Sequence, residues 1–495
     1  MDALLSAVAS DLVGRFISFL VARFQPPDDP DDAARLRRLL LRAGAVVEEA
    51  DARLVTAQGM LLQLQSLRCA MYRGYYVLDT LDIHAAGGGA ATAKRQPPSG
   101  RRRLQTLQLV VESLETTLRN AKEFLDLLTR CPAVPSRPYG TYLFMERCMF
   151  GRRAEKELVV SFLLEPCSSS VSMDVLPIIG AYDVGKRTLV HHACADDRVR
   201  GHLSQVLQLD GDALTVDDHQ QLAGHLPPPG GGTTLIVVEY KSESVDVAAW
   251  RRLCASVRRA TVDAKVIVVG RTEQIARLGT APPLRLRSLR REEYWYFFRV
   301  LAFGSADPAD HPALLPLARR MVAKVRRSFM AANVFTRLLR ANLSAPFWLG
   351  VLQLLSRSVP HHAAAFGAHP WELIAQCRPY YIHNYSGGPL FLCYEQYKSP
   401  AAAAPRPECC MQNIMDGSMK PGPGGEVQVL IWQSPVPPHY DYLLKCRLLE
   451  EKTQTPPQPM LEQGTKQLKR KRRSRTQHTS SSSSLSLSSP SDEGL

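Results

Sequence analysis

Between Leu176 and Val190 the chain reads L-P-I-I-G-A-Y-D-V-G-K-R-T-L-V, and this stretch narrows the choice of fold more than any other. An apolar run from Val175 to Ile179, with Pro177 inside it, leads into Gly180. Gly185 and Lys186 follow at the spacing of a phosphate-binding loop, G-x-x-x-x-G-K-[ST]. Such a loop needs glycines because backbone N–H groups must turn inward and approach phosphate with no Cβ in the way. It needs lysine to bring a point charge to the β/γ-phosphates, and an adjacent hydroxyl to hold Mg²⁺. Here Arg187 stands at the hydroxyl position and Thr188 comes one residue late. The plainer alternative is an ordinary strand–turn–helix with glycine at the turn. The nucleotide reading places Gly180, Asp183, Val184, Gly185, Lys186, Arg187 and Thr188 around ADP or ATP, with the metal-holding group displaced.

Downstream stretches fit the same scheme. T-T-L-I-V-V-E, Thr233 to Glu239, reads as a buried strand ending in a carboxylate. In phosphate-loop proteins a strand of this kind ends in an acid that holds Mg²⁺. That makes Thr188 and Glu239 the candidate metal holders, although Tyr240 occupies the place of a second acid. The strand Ala264 to Val269 ends in Gly270 and Arg271, and an arginine there can reach a γ-phosphate. Read plainly, it is a surface arginine closing a strand. Strand–loop–helix followed by two apolar strands is what a doubly wound parallel sheet produces, with ligands at the carboxyl ends of its strands.

The 495 residues allow two to four domains. Residues 1–130 read as a four-helix bundle. Leu5, Val8, Leu12, Phe16, Leu20 and Phe24 make one amphipathic face, closed by Pro26, Pro27 and Pro30. Two further helices are expected over about 31–55 and 60–81. A fourth runs from Leu104 to Leu128 on a three–four leucine alternation. The stretch Ala85 to Arg103 between them reads as a flexible basic loop. The nucleotide-binding α/β domain is assigned to 145–285 and a helical subdomain to 286–358. The aromatic set Tyr294 to Phe298 in that subdomain is expected to be core. Residues 359–452 read as an irregular region with short strands, and 453–495 as a disordered basic and serine-rich tail.

Net charge is +14, but seven of those charges fall between Lys466 and Arg475. The remainder is only mildly basic, which argues against a nucleic-acid-binding fold. The eleven cysteines are scattered without disulfide or metal spacing and suit a reducing compartment. No run of 18 apolar residues occurs. A cytoplasmic location follows, with K-R-K-R-R-S-R a candidate nuclear import signal. No histidine joins a nucleophile or metal-ligand set, so no catalytic residues are assigned.

With these residues in place, the chain resembles plant nucleotide-binding (NB-ARC) resistance proteins of the coiled-coil class over roughly residues 1–350. M-Y-R-G-Y-Y-V-L-D-T-L-D at Met71 to Asp82 is similar to that family's N-terminal bundle, and F-G-R-R-A-E-K-E to the motif preceding its nucleotide domain. G-A-Y-D-V-G-K-R-T-L resembles its phosphate loop, L-I-V-V-E-Y its acidic strand and K-V-I-V-V-G-R-T its arginine-bearing strand. The resemblance implies an ADP/ATP switch in defence, with ADP holding it off and ATP driving oligomerisation. It implies protein partners for the bundle, full-length resistance receptors or further copies of the chain among them. The departures are Arg187, the Glu239-Tyr240 pair in place of two aspartates, and R-R-S-F-M-A-A-N (Arg326 to Asn333) where the family carries G-L-P-L. Neither an M-H-D triplet nor a leucine period of 20–29 residues is found in these 495 residues.

Three functions are consistent with these features. The first is a defence protein with a weakened nucleotide site that acts as a signalling, helper or decoy partner. The second is an active ATP-hydrolysing switch. Arg187 opposes it, since a cation at about 4 Å repels a divalent ion by roughly 8 kcal/mol at an effective dielectric of about 20, before screening. The third is a nuclear scaffold using the basic tail.

Overall fold

The computed structural model of the chain describes residues 31–86, 100–132, 149–166, 173–182, 184–214, 233–260, 264–376, 378–384, 390–400, 407, 409–419, 425–433 and 440–449. The first expected helix, Asp183 and the basic tail lie outside these residues.

A parallel five-stranded sheet carries the phosphate loop. Its strands are β1 (Asp174–Gly180), β2 (Leu203–Asp210), β3 (Thr233–Glu239), β4 (Ala264–Gly270) and β5 (Leu284–Leu286), in the order β2-β3-β4-β1-β5. All four pairings are parallel. Every residue of β4 is buried, as expected for a strand covered on both faces. One face packs against helices Arg153–Leu164 and Lys186–Cys194 through Val159, Leu163, Leu189 and Val190. The other packs against helix Val247–Ala260 through Trp250, Leu253 and Val257. The sequence reading placed no strand between Ala264–Val269 and the helical subdomain that it began at residue 286. The structure instead places Leu284–Leu286 as β5 beside β1, and helix resumes only at Arg291. Edge pairing with β1 outweighs the local pattern of so short a segment.

Three long helices of the N-terminal region, Asp32–Asp51, Gln58–Ala86 and Gly100–Asn120, pack on one another around Leu36, Leu40, Leu64, Leu67, Leu114 and Leu118. Gly74 lets the second lie close to the first, because a Cβ there would come within 2.7 Å of Leu40 Cδ2. The expected continuous helix to Leu128 is broken at Ala121, and a short helix Lys122–Leu128 follows. Asn120, whose side chain competes for backbone hydrogen bonds, precedes the break. Of the stretch Ala85 to Arg103 expected as loop, Ala85, Ala86 and Gly100 to Arg103 are helical, and residues 87–99 lie outside the described residues.

Helices Arg291–Phe303, Leu314–Lys324, Phe329–Ala341 and Ala345–Phe366 form the next layer. The aromatics Tyr294 to Phe298 are all buried in it. The last helix continues past the expected end at residue 358, with Pro360 inside it. Beyond it lies more order than an irregular region. Strands β6 (Tyr380–Ile382), β7 (Leu390–Pro400), β8 (Cys409–Cys410), β9 (Glu426–Gln433) and β10 (Tyr440–Leu449) form a second sheet, ordered β6-β7-β10-β9-β8. It is antiparallel except for β8–β9. Its edges are its two shortest strands, which limits open pairing. Its buried side chains belong to the same core as the helices before it and the N-terminal region.

Candidate functional site

The parallel register brings Gly180, Asp210, Glu239 and Gly270 to the carboxyl edge of the first sheet. Gly180 must be glycine on packing grounds alone: a Cβ would come within 2.7 Å of the Leu286 carbonyl oxygen. Gly185 has φ +86°, a left-handed conformation that disfavours any side chain. It caps the helix that starts at Lys186, and the N-terminus of such a helix favours an anion. Lys186 Nζ donates to the carbonyls of Gly180 and Ala181, 2.7 Å from each, and so lies back across the loop. Val184 is buried and its carbonyl accepts from Arg152 Nη2 at 3.5 Å. These residues fit a phosphate group.

They do not fit a magnesium ion in the usual way. Arg187 Nη2 is ion-paired with Glu239 Oε2. Because β4 lies between β1 and β3, Glu239 is two strand spacings from the loop strand, roughly 10 Å. A short hydroxyl needs an ion to bridge that gap, whereas the long arginine side chain spans it directly. Thr188 cannot stand in for the missing hydroxyl at the same place. One residue further along a helix, its side chain leaves the axis about 100° away from that of Arg187. Tyr240, at the second-acid position, is core: its ring lies where a Cβ on Gly211 would come within 2.7 Å. Burial raises its phenol to about 12. Arg271 is exposed and donates to the Lys241 carbonyl, so it sits at the same edge but is engaged away from the loop.

Beside the Arg187–Glu239 pair lies a cleft of about 180 Å³ floored by Val190, Val237 and Val269. His191 and Gln208 form one wall, hydrogen-bonded at 2.6 Å. Asp210 at its rim holds Lys241 Nζ at 2.6 Å. Partial burial would raise the Asp212 carboxyl, but hydrogen bonds from Ser242 Oγ and the amides of Lys241 and Ser242 outweigh it and hold it low.

The sequence reading gave G-R-R-A-E-K-E no individual roles, and the structure divides it among three neighbours. Arg152, buried, reaches the carbonyls of Val184 and Arg287. Arg153 turns to the N-terminal helices, pairing with Asp51 at 3.1 Å and donating to the carbonyls of Ala50 and Arg53. Lys156 pairs with Asp196 at 2.8 Å, and Glu157 takes Arg198 in a two-pronged pair at 2.6 and 2.9 Å. These tether the short helix Asp197–Arg200 that follows the loop helix. His192 on the loop helix, Lys186–Cys194, is pushed down to about 4 by burial and by Lys156, against the pull of Asp196. Consecutive arginines facing different partners leave no periodic signal, so only their proximity to a phosphate loop could have drawn attention to them.

A second cluster joins helix Gln58–Ala86 to helix Arg291–Phe303. Trp295 Nε1 donates to Asp79 Oδ2 at 2.7 Å, and Arg299 pairs with Asp79 at 3.2 Å. The Arg319 guanidinium lies 3.4 Å from the Tyr76 ring centroid and 4.5 Å from that of Trp295, and donates to Thr80. Tyr296 packs on Tyr72 and Tyr75 at 4.6 and 5.2 Å between centroids.

Comparison with known proteins agrees with these features. Disease resistance protein RGA2 of Solanum bulbocastanum is 25% identical over 355 residues, 66% of this chain and 35% of that protein. RGA1 of the same species is 24% identical over 349 residues, 64% of this chain and 35% of that protein. A disease resistance RPP13-like protein of Arabidopsis thaliana is 24% identical over 363 residues, again 64% of this chain and 34% of that protein. The chain thus spans about a third of the length of these relatives. No family model matches. A Drosophila ORC structure bound to DNA aligns at a TM-score of 0.33 and 15% identity, covering 49% of this chain and 75% of that one, too slight a likeness to carry an argument. Over about two thirds of its length, the chain is similar to plant disease resistance proteins at 24–25% identity.

Proposed function

We propose that this chain acts in plant defence as a nucleotide-holding protein that works through protein partners rather than through hydrolysis. The observation that carries the reading is the loop itself, Gly180 to Lys186 at the carboxyl edge of a parallel sheet, in a chain similar to disease resistance proteins. The bound molecule is ADP or ATP, held at Gly180, Gly185 and Lys186. Hydrolysis needs a bound metal and a positioned water. The Arg187–Glu239 pair works against the first, because it neutralises the edge carboxylate and leaves a cation beside it. The nucleotide domain is taken as residues 145–285 and the partner-binding region as 1–130. The partner is another protein, a full-length resistance receptor or a second copy of this chain.

The test uses the full 495-residue chain. Purified protein is denatured, and released nucleotide is identified and quantified by chromatography. Near-stoichiometric ADP is the expected result. Protein with no nucleotide, and no thermal shift on adding ADP or ATP, would refute the nucleotide part of the reading and leave a scaffold. A wild type that hydrolyses ATP steadily would refute the non-hydrolytic part.

A further inference from the structure

A phosphate loop that works with a divalent cation offers that ion a hydroxyl directly after the lysine and a carboxylate across the sheet edge. In this chain both positions are taken by one interaction. Arg187 stands where the hydroxyl would be, and its guanidinium engages Glu239. The two side chains are 39% and 26% exposed, which places the pair at the rim, where ion pairs hold weakly. The adjoining cleft gives both groups room to move.

We propose that Arg187 is the loop's built-in counter-cation. It leaves Glu239 for the terminal phosphate of a nucleoside diphosphate, and the site holds that nucleotide without Mg²⁺. This rests on the nucleotide reading above. Arg187 follows Lys186 directly, so two cations serve the loop. A planar guanidinium matches phosphate in a two-pronged, charge-assisted bond, and a terminal phosphate carries more charge than one carboxylate. Glu239 then competes with the nucleotide for Arg187, so its charge limits affinity.

Calorimetric titration of the full-length protein, first stripped of bound nucleotide, with ADP, once with Mg²⁺ and once with EDTA, tests this. The wild-type Kd should agree between the two buffers within about twofold. Glu239→Gln removes the competitor without opening a cavity and should tighten ADP by about threefold or more in EDTA. Arg187→Thr should make binding metal-dependent, with a loss of about tenfold or more in EDTA. If the wild type itself loses about tenfold on removal of Mg²⁺, the metal site is intact and the inference fails while nucleotide binding stands. An unchanged or weakened Glu239→Gln rejects the exchange of partners. No ADP binding in either buffer, with Lys186→Ala indistinguishable from wild type, removes the nucleotide reading and this inference together. Should Arg187→Thr fail to fold, the wild type and Glu239→Gln still decide.

Discussion

Two of the charged clusters among the described residues, one at the sheet edge and one at a helix junction, are held differently. At the sheet edge Arg187, Glu239, Lys241, Asp210 and Arg271 are all partly or largely exposed, and each is engaged with another edge group or a loop carbonyl. At the junction between the N-terminal helices and helix Arg291–Phe303, Asp79 is only 4% exposed and is hemmed in by Trp295, Arg299 and the stacked Arg319. The same residue types therefore do opposite work. An exposed pair gives up one partner for another at little cost, whereas a buried one is costly to break. The edge is built for exchange and the junction for holding.

The largest effect is expected at the junction. Asp79→Ala leaves the Trp295 N–H without its buried acceptor and Arg299 without its counter-ion, and should destabilise by about 3–5 kcal/mol. Urea denaturation of the full chain reads this directly. Arg187→Ala, by contrast, breaks a rim pair and should change stability by about 1 kcal/mol or less. Comparable losses for the two variants would break the contrast.

Acid should separate the two regions next. The His192 imidazole is held at about 4 by burial, below its ordinary value near 6.5. Its neutral form contributes stability that is whole above about pH 6.5 and is lost as pH falls toward about 4. That is about 2–3 kcal/mol for the helix behind the phosphate loop, allowing for its partial exposure. Asp79 has the opposite sign. Burial raises its carboxyl despite Arg299 and Trp295, so its contribution is whole at low pH and is lost as pH rises through that raised value. Hydrogen exchange at pH 7 and pH 5 should show residues 186–194 losing protection while residues 72–82 keep theirs. His192→Gln should flatten the first response. Equal loss in both segments would mean that global unfolding, not these groups, sets the acid response.

These differences were only partly legible in the sequence. β1, β3 and β4 could be found because strands buried on both faces read as unbroken apolar runs, and each ends on a residue with chemistry to do. Arg187 and Glu239 were each conspicuous, but 52 positions separate them, and only the interposed β4 shows why a long cation should bridge to that acid. β5 was missed because L-R-L carries no decisive period and its strand character comes from β1. Short strands were expected in residues 359–452 but not the sheet they form, because β7 and β10 pair across about 50 residues, in a region whose prolines and glycines read as loop. The junction was half visible. Aromatic density marked Tyr294 to Phe298 as core, but nothing local says that Asp79 is buried against them.

The smallest effect lies in the turn where the resistance-protein resemblance expects G-L-P-L and this chain has Arg326-Arg327. Both arginines have positive φ, 47° and 60°. A left-handed conformation costs an L-residue about 1–2 kcal/mol, which glycine avoids while losing about 0.5–1 kcal/mol more chain entropy on folding. Contacts decide the balance. Arg326 pairs with Glu372 at 2.7 Å, but both side chains are about half exposed, so that pair adds little. Arg327, although exposed, donates from Nη1 to the Leu289 carbonyl at 3.1 Å in a partly buried bond. That bond is worth about 1 kcal/mol. Arg326→Gly should therefore stabilise by about 0.5 kcal/mol, while Arg327→Gly should be near neutral, its strain relief offset by the lost bond. Urea midpoints at constant slope would resolve the two. If Arg327→Gly proves the more stabilising, the Leu289 bond holds nothing in place. The turn would then be strained for no structural return, and the contrast between a rigid junction and a yielding edge would not extend to it.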